Sequence, residues 1–130
     1  MQINFSPYQI DYNNRAVAYG DGCFTTLCWH NGELQDWPYH VNRLERACQA
    51  LQLKGFDAVA LSQFMHSEVL LNLPPKCVLK ILVSVAAGGR GYSRSINPEI
   101  SVFVSEHPFP TFYQDWQQNG VRLGLSHVAL

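Results

Sequence analysis

The stretch Cys77-Val78-Leu79-Lys80-Ile81-Leu82-Val83-Ser84-Val85-Ala86 decides how the chain folds, because it is nearly continuous in β-branched and aliphatic residues and is interrupted chiefly at Lys80. Such a run suits a strand covered on both faces, so a central strand is expected here. Gly88-Gly89-Arg90-Gly91-Tyr92 follows at once, and three glycines in four positions discourage helix and strand alike, which makes this segment a loop. Further on, residues 100–105 alternate like a strand until Pro108 and Pro110 break the pattern. Residues 112–118 suit a short helix, and residues 121–128 read as a last strand.

Upstream of the central run, residues 23–29 and 33–36 flank His30-Asn31-Gly32, and Asn-Gly tolerates the positive φ angles of a tight hairpin turn. After Pro38, which suits a first helical turn, Val41, Leu44, Cys48 and Leu51 recur at helical spacing with polar residues between them. This predicts an amphipathic helix ending near Gly55. Asp57 suits the cap of a second helix, with apolar positions at Phe64, Val69, Leu70 and Leu71, that stops before Pro74-Pro75. Helices grouped between strands, instead of alternating with them, favour an α+β fold. The expected architecture is a two-layer sandwich, a mostly antiparallel sheet with two main helices packed on one face.

Composition narrows the function classes. With 130 residues and 47% apolar content the chain has enough material for one cored domain. Nine Lys plus Arg against ten Asp plus Glu give a net charge of −1, so no excess of positive charge is present to hold nucleic acid or an anionic membrane. The apolar runs are too short to span a bilayer, and no basic segment leads into an apolar one at the N-terminus. A soluble cytoplasmic protein is the expectation. Cys23, Cys28, Cys48 and Cys77 form no C-x-x-C pair and read as reduced core cysteines. His30, His40, His66, His107 and His127 are scattered without an H-x-x-x-H pair, so no metal site is expected. A G-x-S-x-G elbow and a P-loop ending are also absent from the sequence.

The residues that could carry chemistry each admit a plainer reading. Tyr19-Gly20-Asp21-Gly22 either lets backbone approach a ligand or simply makes a sharp turn into a strand, and the turn is favoured. Arg43 lies in the first turns of the helix beginning near Pro38, where an anion is already favoured and a guanidinium adds a forked contact to phosphate. The alternative is a solvated arginine paired with an acid such as Glu45. Arg90 and Tyr92 offer a guanidinium and a phenol to a carboxylate, or else belong to an ordinary connection between strands.

Taken in order and at their spacing, four segments resemble the small domain of fold-type IV pyridoxal-phosphate enzymes. They are Y-G-D-G-C-F-T-T from Tyr19, the hairpin N-G-E-L, the helix H-V-N-R-L-E-R-A-C from His40, and L-K-I-L-V-S-V-A-A-G-G-R-G-Y-S from Leu79. Within that group the chain is most similar to the aminodeoxychorismate lyases. Aminotransferases of this fold usually carry glutamate after the phenylalanine of G-D-G-x-F, whereas Phe24 is followed here by Thr25 and Thr26. The resemblance implies that residues 1–120 are the N-terminal small domain and that residues 121–130 open the large domain. It implies pyridoxal 5'-phosphate as cofactor of the complete enzyme, with Arg43 on its phosphate. Phe24 and Thr25 would lie beside cofactor and substrate, and Arg90 and Tyr92 would receive substrate carboxylate. It implies a cytoplasmic homodimer acting on a small molecule, converting 4-amino-4-deoxychorismate into p-aminobenzoate and pyruvate for folate synthesis.

By the same resemblance the lysine that carries the cofactor lies beyond residue 130, since Lys54, Lys76 and Lys80 do not occupy its position. No catalytic residue is therefore expected within the chain, and alone it should be inactive and free of cofactor. Two other readings stay open: the small domain of a branched-chain or D-amino-acid aminotransferase, and a non-catalytic module binding a small ligand or a protein.

Overall fold

The computed structural model describes residues 1–5, 10–86, 88–96 and 98–128. Strand β1 (Gln2–Phe5) and the short helix α1 (Arg15–Tyr19) precede β2 (Gly22–His30) and β3 (Glu33–Leu34), the hairpin expected around Asn31 and Gly32. Helices α2 (Trp37–Ala50) and α3 (Ala58–Phe64) follow, then β4 (Lys76–Val85), β5 (Ile100–Pro108) and α4 (Phe112–Asn119). The sheet runs β1-β5-β4-β2-β3, with β1 parallel to β5 and every other pair antiparallel. This is the α+β two-layer arrangement that the sequence implies, with β4 at its centre.

Strand alternation assigns the two faces. Leu27 of β2, Leu79, Ile81 and Val83 of β4, and Val102 and Val104 of β5 all point to one side, where Leu44 and Cys48 of α2 and Leu61 of α3 close over them to form the core. Asp57 caps α3 as expected, its carboxylate accepting from the N–H groups of Val59 and Ala60 at 3.0 and 2.9 Å. Beyond α3 the chain continues as a π turn (Met65–Val69) and a 3₁₀ turn (Leu70–Asn72) before the prolines. The buried seam is Leu61, Met65 and Val69, while Leu71, expected inside, is 73% exposed.

Three further differences from the sequence reading have local causes. Helix α2 ends at Ala50, short of Gly55, because Gln52 takes a positive φ of 54° and turns Leu53 back into the core. Residues 121–128 form no strand: Val121, Leu123, Leu125 and Val128 are exposed, and no described sheet edge pairs with them, so alternation alone does not make a strand there. The expected segment 121–130 also reaches Ala129 and Leu130, which lie outside the described residues. Strand β1 and helix α1 had not been anticipated. Among the described residues no helix is long and apolar enough to cross a membrane.

Helix α1 and the start of β2 are held by an ion cluster. Arg15 is 2% exposed. Its Nε donates to the Asp21 carboxylate at 2.8 Å, and its Nη atoms donate to the carbonyls of Gly88 at 3.1 Å, Gly91 at 3.2 Å and Ser93 at 3.4 Å. Arg94 approaches Asp21 from the other side, its Nε lying 3.0 and 3.1 Å from the two carboxylate oxygens, and it also donates to the carbonyls of Leu51 and Gln52 beyond the end of α2. One carboxylate thus ties α1, the glycine loop and the end of α2 together. Gly22 next to it is a close-approach position, where a Cβ would meet Val83 O at 2.5 Å and Ala16 Cβ at 2.8 Å.

Two outcomes follow from this cluster. Gly22→Ala should destabilise the chain by about 2 kcal/mol through overpacking, measured by urea unfolding, and a change within error would show that β2 and α1 part at little cost. The hydrogen bonds from Arg94 hold the Asp21 carboxyl below its ordinary value of 3.8; burial opposes them and those from Arg15 reinforce them. A lowered folded pKa contributes stability that is present above pH 3.8 and is lost as pH falls through the lowered value. Asp21→Asn should cost about 3 kcal/mol at pH 7, because it leaves buried Arg15 without its counter-charge, and should flatten the acid limb of the stability profile. An acid limb identical to that of the parent would place the acid sensitivity elsewhere.

Candidate functional site

Helix α2 carries a surface with two guanidiniums, an amide and a phenol. Pro38 in its first turn and the apolar Leu44 and Cys48 fix its rotation over the sheet, which leaves Tyr39, Asn42, Arg43 and Arg46 facing outward around one open depression completed by Ala47. The helix begins at Trp37, so Arg43 sits in its second turn, past the residues whose N–H groups lack helical partners. Attraction for an anion at this depression therefore comes from the two guanidiniums more than from the helix end. Among the described residues neither Arg43 nor Arg46 makes an ion pair, and Glu45 does not neutralise its neighbour.

Behind that surface, Thr25 of β2 is 4% exposed and its Oγ1 lies 2.7 Å from His40 Nδ1. Burial lowers the pKa of His40; nearby Asp36 opposes this and Arg43 adds to it. The imidazole is thereby kept neutral at ordinary pH and rests on a hydroxyl from the sheet. His40 and Arg43 are three residues apart, one helical turn, and so lie on the same side of α2.

Phe24, adjacent to Thr25 in sequence, points through the opposite face of the sheet and is 51% exposed. Its register partner is Leu82; Thr26 pairs with Lys80, which pairs in turn with Ser105 on β5. The Lys80 ammonium lies 4.8 Å from the centre of the Phe24 ring. A small recess beside it is lined by Ile10, Leu82, Phe103, Ser105 and His107, with Ser105 Oγ 2.9 Å from His107 Nε2. This face thus offers an aromatic wall, a cation and a hydroxyl within a few residues of one another.

Arg90 and Tyr92 occupy the glycine loop. Arg15 grips the backbone of that loop, whereas the Arg90 and Tyr92 side chains stand in solvent, Tyr92 at 92% exposure and 6.3 Å ring to ring from Tyr19. The five residues singled out from sequence are therefore set at three places: Arg43 and Thr25 at α2, Phe24 on the far sheet face, and Arg90 with Tyr92 on the loop. Phe24 and Thr25 do not share a face. Sequence reasoning set His40 among scattered histidines, left Arg46 among the polar residues of the helix and weighed Lys80 only as a lysine outside the cofactor-bearing position, so none of the three was singled out for the site. The H-x-x-R spacing was the signal for the first, and strand alternation was the signal for the last. Among the described residues no group of three or more His, Cys, Asp or Glu is arranged to hold a metal ion.

Comparison with known proteins gives this geometry a context. An aminodeoxychorismate lyase of Vibrio harveyi is 35% identical over 121 residues, which is 93% of this chain and 44% of that protein. The crystal structure of 4-amino-4-deoxychorismate lyase from Pseudomonas aeruginosa superposes with a TM-score of 0.71 at 30% identity, over 85% of this chain and 40% of the other. The branched-chain amino acid aminotransferase of Escherichia coli superposes with a TM-score of 0.67 at 14% identity, over 78% of this chain and 35% of the other, a likeness of fold alone. The chain spans less than half the length of each of these relatives. The model of the amino-transferase class IV family matches residues 22–129, from the first residue of β2 through the glycine loop and α4, and on that match the chain belongs to this family.

Proposed function

We propose that the chain is the small domain of a pyridoxal-phosphate-dependent lyase that converts 4-amino-4-deoxychorismate into p-aminobenzoate and pyruvate. The observation that carries this reading is the 35% identity to an aminodeoxychorismate lyase across 93% of the chain, against 14% for the aminotransferase. Thr25 adds a physical reason. The position is 4% exposed and filled by a hydroxyl bonded to His40, so a glutamate there, as in aminotransferases of this fold, would bring a carboxylate into a space that holds only a short side chain.

The residues present fit the phosphate of such a cofactor, since Arg43, Arg46, Asn42 and Tyr39 line one depression to which no carboxylate contributes. Pyridoxal phosphate, when bound, supplies an electron-poor ring that accepts the negative charge left as a substrate proton departs. In this reading Arg43 holds the phosphate, while the Thr25–His40 contact fixes the helix turn from which Arg43 projects. Phe24 gives the six-membered ring of the substrate an apolar wall. Arg90 and Tyr92 receive carboxylate on a loop kept rigid by Arg15, and Lys80 adds a second cation beside Phe24. Lys80 is exposed to water instead of being enclosed as a desolvated nucleophilic lysine is, so the 130-residue chain alone is proposed to be inactive. Residues 121–130 are assigned in the same way to the start of a larger partner domain, and the complete protein to a homodimer.

The complete protein should release pyruvate and p-aminobenzoate from aminodeoxychorismate without any keto-acid acceptor, followed by coupled pyruvate detection. A strict requirement for 2-oxoglutarate would instead make it an aminotransferase. Removing one charge-assisted contact costs about 1.5–3 kcal/mol, so Arg43→Ala in the complete protein should weaken cofactor affinity by roughly tenfold or more while the apo form keeps its melting temperature. Unchanged cofactor affinity would remove Arg43 from the site. Arg90→Ala should raise KM for the acidic substrate by about tenfold with the cofactor spectrum intact, and loss of cofactor at unchanged KM would reverse the two assignments.

A further inference from the structure

We propose that Cys23 and Cys48 form a reversible dithiol–disulfide site that hydroperoxides oxidise. Their sulfur atoms lie 3.9 Å apart, one on the first turn-in of β2 and the other on the core side of α2, and the two residues face each other across the contact between strand and helix. A bond requires the sulfurs to close to about 2.05 Å, a shift of roughly 2 Å that side-chain rotation at the partly exposed Cys23 helps to supply. All four cysteines are free thiols in the structure.

The two partners differ in a way that suits stepwise oxidation. Cys23 is partly exposed, and its pKa is lowered first by the hydrogen bond from Cys48 and further by Arg43, with burial opposing. Cys48 is 3% exposed and its thiol is raised, chiefly because it donates to Cys23. The Cys23 thiolate attacks the peroxide oxygen, the O–O bond breaks, and the departing alkoxide or hydroxide takes a proton, leaving Cys23 as a sulfenic acid. Cys48 sulfur then displaces the sulfenic hydroxyl, which leaves as water with the Cys48 proton, and the S–S bond forms. Overall two thiols and one hydroperoxide give one disulfide, one alcohol or water, and one further water. A dithiol reductant reverses the change.

The other two cysteines are unsuited to this pairing. By strand alternation Cys28 and Cys77 face opposite sides of the sheet, and Cys77 is fully buried with its thiol pushed up to about 11 by burial. Cys28 donates to the carbonyl of Trp29 at 3.6 Å. The site is argued from this chain alone and does not depend on the lyase reading.

The test uses the reduced 130-residue chain treated with stoichiometric hydrogen peroxide, then alkylated and mapped without reductant. The expected result is loss of two of the four thiols, a mass lower by about 2 Da, and one linked peptide pair joining Cys23 to Cys48 within a single chain. Dithiothreitol should restore all four thiols, and the oxidised form should melt several degrees higher because a 25-residue loop is closed. Cys28→Ser should leave the linkage unchanged, and Cys48→Ser, which keeps a donor to Cys23, should strand Cys23 as a sulfenic acid that dimedone captures. Cys23 and Cys48 remaining alkylatable at a peroxide dose that oxidises Cys28, or Cys23 linked between two chains, would overturn the proposal. The unmutated map decides the matter even if Cys48→Ser fails to fold.

Discussion

The pairing of Asp21 with two arginines is the constraint on which the rest of this domain depends. Arg15 is buried and charged, a state that a protein interior tolerates only when every donor is met. Its partners come from a carboxylate six residues on and from carbonyls more than seventy residues away. Arg94 then extends the same carboxylate to the carbonyls that follow α2. Since breaking such a cluster strands a charge in low dielectric, the glycine loop, the entry to β2 and the end of the main helix are held in one fixed relation. The candidate surfaces on α2 and on the loop are thus registered against each other through the backbone that this cluster ties together.

The same constraint explains the character of the glycine loop. Flexible glycine sequences ordinarily sample many conformations, yet this one presents its carbonyls inward to Arg15 and leaves Arg90 and Tyr92 outward. Immobilising the backbone while freeing two polar side chains gives a loop that can meet a carboxylate at little further cost in backbone entropy. The loop lies within the segment that matches the amino-transferase class IV family, to which the chain belongs.

Much of the fold was legible in the sequence because its signals are local. Asn31-Gly32 fixed the hairpin, Pro38 with Leu44 and Cys48 fixed α2, Asp57 capped α3, and the run from Cys77 announced the central strand. What escaped was non-local. Helix α1 has five residues, too few to show a period, and β1 is defined only by pairing with β5 at the far end of the chain. Nothing in hydrophobic pattern marks Arg15 as buried, and Asp21 between two glycines reads from sequence as a turn, since its partner Arg94 lies 73 residues away. The candidate site was legible as a set of residue types but not as a geometry. Arg43 is a candidate through its motif and its place on α2, while the separation of Phe24 from Thr25 follows from strand alternation, a rule that a motif read as a string does not apply.

The outer position of β1 has a bearing on how the domain comes into being. Gln2 pairs with Ser101 and Phe5 with Val104, so the first of the described strands is completed only by the last of them. During synthesis at roughly 5–20 residues per second, the N-terminal segment would wait some 5–20 s for its neighbour to emerge. Through that interval Ile3 and Phe5, which later pack against the core, stay uncovered on a growing chain. The sheet can begin with β2 and β4 and gain its parallel edge as the final step, so that β1 is the strand whose apolar side waits longest for cover.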